Sequence, residues 1–248
     1  MNWAIITRHY VKRAFIDPLG LAIFLLIPTA MILLQNFIIN ANIEGDDHII
    51  NGYNAVITES TIAVMIIFLL MGGMYIIDYI FTDFRGANRW RLIAAPATLS
   101  TYFFGALIAS VAFSVVSSMA VLGVSYLVFD MYFGNWHVML ALVLLLAIFS
   151  QLLGILMSLL IKKKKTAESA FSAVIMLSAI MAGGFMGINL NMPDAIRDNT
   201  PLLRALRVAT YSGLHDNMSG AMFNFGILAA MTAVLAVAVF IIGRKKPL

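Results

Sequence analysis

The sequence has no cysteine and few charged residues. The absence of cysteine among 248 residues excludes disulfide-stabilised folds, cysteine zinc sites and cysteine nucleophiles. Charged residues make up 11% of the chain and hydrophobic residues 62%, whereas soluble proteins carry about 25% charged residues. A soluble chain of this kind would expose large apolar patches, and a disordered chain would be poor in apolar residues. The composition therefore indicates an all-α integral membrane protein.

Catalytic and nucleotide-binding motifs are also missing. The chain has no G-x-x-x-x-G-K-[ST] phosphate loop, so it does not bind ATP by that route. It has no H-E-x-x-H and no G-x-S-x-G, and its four histidines are scattered. Asp78 and Glu59 lie near the two ends of one apolar segment, and the interpretation favoured over a membrane-embedded carboxylate is a solvated helix end, which would leave a proton pump without its mid-membrane carboxylate. We therefore predict no catalytic residue, no metal site and no cofactor site in this chain.

Six segments are long and apolar enough to cross a bilayer, which takes about 20 helical residues. They cover residues 18–40, 57–80, 99–128, 137–161, 169–188 and 221–243. Six crossings place both termini on one side. All but three of the 16 lysines and arginines fall in the termini and loops of that side, so the positive-inside rule predicts that it is cytoplasmic.

The first 17 residues resemble neither a span nor a cleavable signal peptide. Trp3, Ile6, Tyr10 and Ala14 recur near helical spacing, and the basic residues lie on the other side. This pattern predicts a helix in the membrane interface that turns into the first span at Asp17 and Pro18. The alternative is an ordinary positively charged flank.

The loop at residues 81–100 is more apolar than a loop that only connects two helices needs to be. Its centre, residues 87–95, predicts a short helix that is ended by Pro96. We expect Arg85, Arg89 and the backbone around Gly86 to face water. The apolar residues expected to lie against the membrane or a partner protein are Trp90, Leu92 and Ile93.

The segment from Gly187 to Gly220, on the opposite side, is too long for a tight turn. Pro193 and Pro201 stand where the first turn of a helix tolerates proline. The residues ahead of them that suit a helix N-cap are Asn191 and Thr200. We expect two short helices that dip into the outer leaflet.

The run NRWRLIAAPATLSTYFFGAL, residues 88–107, resembles the signature of the type-2 ABC exporter permeases. That signature reads approximately as a glycine, a few polar residues and then R-L-L-A-T-P before the third span. Arg91, Leu92, Ala94 and Pro96 match it, Ile93 is a conservative match and Ala95 replaces the threonine. The outer stretch from AGGFMGINLNMPDAI to PLLRALRVATYSGLHD also resembles the family's short fifth span and two re-entrant helices.

The resemblance implies a single permease domain over residues 1–248, which forms half of a transporter in the bacterial cytoplasmic membrane. A second permease chain, identical or related, would pair with it, and a separate subunit would bind ATP and magnesium and carry the ATPase activity. Residues 87–95 would be the coupling helix that contacts that subunit, although each arginine there also fits a mere topology anchor. The residues implied in coupling are Arg85, Gly86, Asn88, Arg89, Arg91, Leu92 and Pro96, and those implied in an outer gate are Pro193, Pro201, Arg204 and Tyr211.

The cargo expected from these features is amphipathic or hydrophobic. The chain lacks large outer domains, and a cavity between two such bundles would hold few charges. By resemblance, small family members export antimicrobial or toxin peptides or antibiotics, and others export polysaccharide or lipid. A self-contained secondary transporter or intramembrane enzyme is the alternative of a different class. It predicts activity without a partner and an essential ionisable residue within the membrane.

Overall fold

The computed structural model describes residues 3–42, 49–50, 53–95, 97–129, 131, 133–182, 193 and 197–245. Most of the described chain is helical, and single π-helical segments, Ala22–Leu26 and Ile80–Phe84, follow α2 and α5. The strands β1 (Ile49–Ile50) and β2 (Tyr53–Asn54) form a short antiparallel pair, with Ile50 opposite Tyr53. The helices are α1 (Trp3–Ile16), α2 (Pro18–Leu21), α3 (Ile27–Asn42), α4 (Ala55–Met71), α5 (Met74–Tyr79), α6 (Arg89–Ala94), α7 (Leu99–Phe129), α8 (Trp136–Leu160), α9 (Lys164–Met181), α10 (Pro201–Gly213) and α11 (Met218–Lys245).

Five helical stretches of the described chain are long and apolar enough to cross a membrane. They are Pro18–Ile39, Ala55–Phe84, Leu99–Val128, Trp136–Leu160 and Met218–Lys245. Their bounds agree within a few residues with five of the six predicted spans. The remaining prediction, 169–188, falls partly on α9, whose first turns carry charged residues, and partly on residues outside the described ranges. The structure therefore confirms the all-α class, apart from the short strand pair of β1 and β2, and five candidate spans, while the count of six stays a prediction.

Short polar side chains start several of these helices. Asn54 accepts a hydrogen bond from the amide of Ile57 at 3.1 Å at the start of α4. Thr200 accepts one from the amide of Leu203 at 3.3 Å, and Pro201 follows it at the first position of α10. The first amides of a helix have no intrahelical acceptor, so these caps fix where each helix begins. The predicted cap and proline at 200 and 201 are thereby confirmed.

The helices pack around α4. In the span Ala55–Phe84, 78% of the most apolar window is buried, against 22% in Pro18–Ile39 and 11% in Met218–Lys245. One apolar cluster joins α4 to α7, α8, α9 and α10, and a second joins α1 to α5 and α7. The described residues therefore leave most of the apolar surface of the first and last spans uncovered.

The break between α4 and α5 lies at a close crossing with α8. The amide of Gly73 donates to the hydroxyl of Ser150 at 2.7 Å, and that hydroxyl donates to the carbonyl of Leu70. A Cβ atom added to Gly73 would lie closer than 3.0 Å to the carbonyl oxygen of Ser150, and one added to Gly154 equally close to that of Gly73. The two backbones therefore touch, and one serine satisfies both polar groups freed by the break.

Candidate functional site

The short helix α6 is the most exposed helical element at its end of the bundle. It covers Arg89–Ala94, slightly less than the predicted 87–95, and none of its residues is buried. Trp90 is 77% exposed and Ile93 is 51% exposed. Arg89 and Arg91 are exposed beside them, and Pro96 lies outside the described residues. The helix thus presents a mixed apolar and basic surface that the described residues do not cover.

One residue of α6 points back to the bundle. Leu92 is half-buried and packs against the second apolar cluster. Beside it lies a groove of about 380 Å³ between α1 and α6, which we call the α1–α6 groove. Its lining includes Tyr10, Arg13 and Asp83 from the bundle and Asn88, Arg91 and Leu92 from the α6 region. The α1–α6 groove therefore brings residues of α1 and of the α6 region into one lining.

Asp83 is the buried carboxylate that lines the α1–α6 groove. It is 5% exposed and accepts hydrogen bonds from Arg13 at 2.7 Å and from Asn88 at 3.0 Å. Burial, and next the negative charge of Asp83, raise the pKa of Tyr10, so its phenol stays protonated and donates to Asp83. Because a buried carboxylate needs such donors, Asp83 holds α1 and the start of the α6 region together. Asn88, predicted to contact a partner, serves here as an internal tie.

Arg85, predicted to face water, does so only in part. It is half-buried, and its guanidinium donates to the carbonyl oxygens of Ser158 at 2.7 Å and Ile161 at 3.3 Å, at the end of α8. Burial lowers the pKa of Arg85. The last carbonyls of a helix have no intrahelical donor and favour a cation, which explains the position of Arg85. The next residue is glycine, because a Cβ atom at Gly86 would lie closer than 3.0 Å to the carbonyl oxygen of Thr82.

We therefore expect alanine substitutions at Arg85 and at Arg89 to differ in their effect on thermal stability. We expect Arg85→Ala to lower the thermal unfolding midpoint of the purified chain, because it removes hydrogen bonds to a charged donor worth about 1.5–3 kcal/mol before discounting for solvent. Arg89→Ala should leave the midpoint unchanged, because Arg89 is exposed. Thermal unfolding in detergent measures both variants. An equal loss in the two would contradict the structural role of Arg85.

Asp78 joins three helices at the same end of the bundle. Its carboxylate pairs with the ammonium group of Lys164, the first residue of α9. Arg13 of α1 approaches its other oxygen to 3.6 Å. The Asp78 side chain is 35% exposed, in accord with the predicted solvated helix end. A surface pair of this kind adds little stability, but it sets where α1 and α9 meet α5.

The residues predicted for an outer gate lie mostly on α10. Arg204 donates to the side-chain oxygen of Asn224 in α11 at 2.8 Å, and the Tyr211 ring lies 6.0 Å from that of His215. Pro201 begins α10, and Pro193 is exposed. Arg204 therefore fastens α10 to the last span. The first of the two predicted outer helices falls mainly outside the described residues.

The site of the described chain consists of charged side chains and an exposed apolar surface. Among the described residues, no group of three or more histidines, cysteines or carboxylates is placed to hold a metal ion. The residues that sequence reasoning missed, Arg13, Asp83 and Ser158, act through partners about 70 positions away in the chain. No local pattern marks such pairs, except that Asp83 is a carboxylate at the end of an apolar segment.

Comparison with known families adds one finding. The family model described as ABC-2 type transporter matches residues 2–198 of this chain of 248 residues. The matched part includes α1, the loop with α6 and the helices α3 to α9. A search of curated proteins finds no match.

Proposed function

Since the chain belongs to the ABC-2 type transporter family and is a membrane permease subunit of an ABC transporter, we propose that α6 is the element that docks its ATP-binding subunit. The observation that carries this proposal is the exposure of Trp90 and Ile93 on the same short helix as the exposed Arg89 and Arg91. Tryptophan and arginine are the side chains that most often dominate binding energy at protein interfaces. A soluble partner with an apolar, acid-rimmed groove would cover this surface.

The contacts of α6 support its role in transmitting movement. Leu92 packs against the second apolar cluster, and Asn88 is hydrogen-bonded to Asp83, which is paired with Arg13. A displacement of α6 by the partner would therefore shift α1 and the end of α5. ATP binding and release in the partner would favour different positions of α6 only through contacts that differ between the two states. Arg85 stabilises the loop and lies behind this surface.

We propose six crossings with both termini in the cytoplasm. The first residue of α9 pairs with Asp78 at the end of α5, and α9 also contacts α10, which packs against α4. Helix α9 thus extends from the end of the bundle that holds α6 to the α10 region. This arrangement supports a crossing by α9, and the basic loops then lie inside, as the positive-inside rule requires. The chain would be a multi-pass protein of the bacterial cytoplasmic membrane.

We further propose that two permease chains, identical or related, form the pathway, and that the cargo is an amphipathic or hydrophobic peptide or antibiotic. The uncovered apolar surfaces of the first and last spans support a second chain or lipid beside them. The few charged residues within the spans support apolar cargo. Polysaccharide or lipid export by the same machinery is the alternative.

The test is co-purification of the tagged chain from its host in nanodiscs, with identification of bound proteins and assay of ATPase activity. We expect a stoichiometric soluble subunit with a phosphate loop, and about tenfold weaker association for Trp90→Ala. Arg91→Glu should uncouple ATP hydrolysis from transport while the spans stay folded. Trp3→Ala is the matched control, because Trp3 is 62% exposed on α1.

Two outcomes would contradict the proposal. Retention of the partner by Trp90→Ala and Arg91→Glu, with normal coupling, would show that α6 is not the docking element. A preparation of this chain alone that transports without ATP would instead favour a self-contained transporter.

A further inference from the structure

A second groove, between α1 and α5, lies next to the α6 region and plays no part in the docking proposed above. Its volume is about 580 Å³, and we call it the α1–α5 groove. It shares His9 and Arg13 with the α1–α6 groove, so both open at the same end of the bundle. Its lining also includes Lys12, Ile16, Asp17 and Tyr79. The polar groups that line the groove indicate that it binds a ligand.

Two charged groups of the groove have no ionic partner among the described residues, and one buried hydroxyl there has no hydrogen-bond partner. Lys12 is exposed and forms no ion pair within the described part of the chain. Asp17 accepts from the amide of Leu19 at 3.2 Å and from the hydroxyl of Tyr75 at 3.4 Å, but no described cation pairs with it. The Tyr79 side chain is 1% exposed, and its hydroxyl has no hydrogen-bond partner among the described residues. A buried hydroxyl without a partner costs free energy, so a ligand at this place would be stabilised.

The charges of these groups select the kind of ligand. A purely anionic ligand would be repelled by Asp17 and Asp78, and a purely cationic one by Lys12 and Arg13. A ligand with both a phosphate and an ammonium group satisfies both sides. Lys12 and the Tyr79 hydroxyl suit the phosphate as donors, and the carboxylate of Asp17 suits a primary ammonium, which has three N–H donors.

The surface beside the groove selects a lipid over a free phosphate compound. Ile16 is 62% exposed and Leu19 is 70% exposed, close to Asp17 on either side of it in the chain. This apolar edge would contact acyl chains, while the groove holds the headgroup. On the proposed topology, this end of the bundle lies at the cytoplasmic leaflet, where lipid headgroups are present.

We propose that the α1–α5 groove binds the headgroup of a zwitterionic phospholipid with a primary amine, of the phosphatidylethanolamine type. The bound lipid would sit against α1 and α5 and so hold α1 at the membrane surface. The proposal rests on the topology proposed above for the leaflet, and on the described residues alone for the chemistry.

The test is native mass spectrometry of the full chain in detergent, titrated with short-chain phosphatidylethanolamine, phosphatidylcholine and phosphatidylglycerol and with free phosphoethanolamine. We expect about tenfold tighter binding of phosphatidylethanolamine than of the other three, the equivalent of one hydrogen bond to a charged group. Phosphatidylcholine lacks the N–H donors, phosphatidylglycerol lacks the cation, and phosphoethanolamine lacks the acyl chains.

Three variants assign the preference to the groove. Asp17→Asn keeps a side-chain acceptor for the cap of α2 but removes the charge, so phosphatidylethanolamine should bind no better than phosphatidylcholine. Lys12→Gln and Tyr79→Phe should weaken phosphatidylethanolamine binding about fivefold or more. Arg8→Gln is the matched control, because Arg8 is an exposed cation of α1 outside the groove lining, and it should bind like the parent chain.

Several results would overturn the proposal. Equal binding of the three lipids, or a phosphatidylethanolamine preference that survives Asp17→Asn, would show that the groove does not read the ammonium group. Free phosphoethanolamine binding as tightly as the lipid would assign the groove to a soluble phosphate compound. The measurement uses the permease chain alone, so its failure would leave the docking role of α6 untouched.

Discussion

Alanine at Gly73 should unfold the bundle at a much lower temperature than the parent chain. The added Cβ atom would lie closer than 3.0 Å to the carbonyl oxygen of Ser150 and to the ring of Phe171. Backbone cannot move aside as the end of a flexible side chain can, so the two helices must separate. Overpacking of this kind costs about 1–3 kcal/mol, and we expect the upper end here. Thermal unfolding of the purified chain in nanodiscs measures the loss.

Alanine substitutions at other helical glycines serve as matched comparisons for this prediction. Gly154→Ala meets the same crossing from the other side, because its Cβ atom would lie closer than 3.0 Å to the carbonyl oxygen of Gly73. Gly123 and Gly226 lie within helices, and a Cβ atom at either would meet nothing within 4 Å. Gly123→Ala and Gly226→Ala should therefore be neutral or slightly stabilising. If all four variants unfold alike, the close crossing does not limit stability.

Removal of the Arg13 guanidinium should have the second large effect. Arg13→Met leaves Asp83, whose side chain is 6% exposed, without its ionic partner. Breaking a buried pair costs about 3–5 kcal/mol, but Arg13 is 37% exposed, so solvent reduces this to about 2 kcal/mol. We expect α1 to leave its place on α5 and α7, which limited proteolysis of the N-terminus would detect together with a lower unfolding midpoint.

A second substitution tests whether the pair is the cause. In the double variant Arg13→Met/Asp83→Asn no unpaired charge is buried, and the new amide side chain keeps an acceptor oxygen for Asn88, so we expect most of the stability to return. Lys12→Met is the control for loss of a positive charge on the same helix, and it should leave the midpoint unchanged. A double variant no more stable than Arg13→Met would refute the pairing argument.

The membrane-spanning segments were predictable because length and apolar content define them. The predicted span 57–80 corresponds to Ala55–Phe84 in the structure, and 137–161 corresponds to Trp136–Leu160. The bilayer thickness sets the length of a span, and every residue of the segment contributes to the apolar content by which the span is recognised. The cap at Thr200 was predictable for a similar reason, since the residue and its acceptor role are local.

The ties between helices were not predictable from local pattern. Arg85 looks like its neighbour Arg89 in the sequence, yet its acceptors are the carbonyls of Ser158 and Ile161. Likewise, the break at Gly73 depends on a hydroxyl from Ser150, which lies 77 positions further along the chain. Such pairs exist only once the helices have packed, so a single sequence gives the charge or the glycine without its partner.

The packing of α1 against later segments has a consequence for the order in which the chain folds during synthesis. Ile6, Tyr10 and Ala14 of α1 are buried in a cluster that includes Tyr79 of α5 and Phe113 of α7. Gly105 lies against Ile6, where a Cβ atom would approach its side chain to 3.1 Å. During synthesis on the ribosome, α1 emerges before α5 and α7, so the surface that receives it is complete only after two later spans have entered the bilayer. Helix α1 can therefore dock only after these two spans have been inserted and have packed together, so its docking marks the completion of that step.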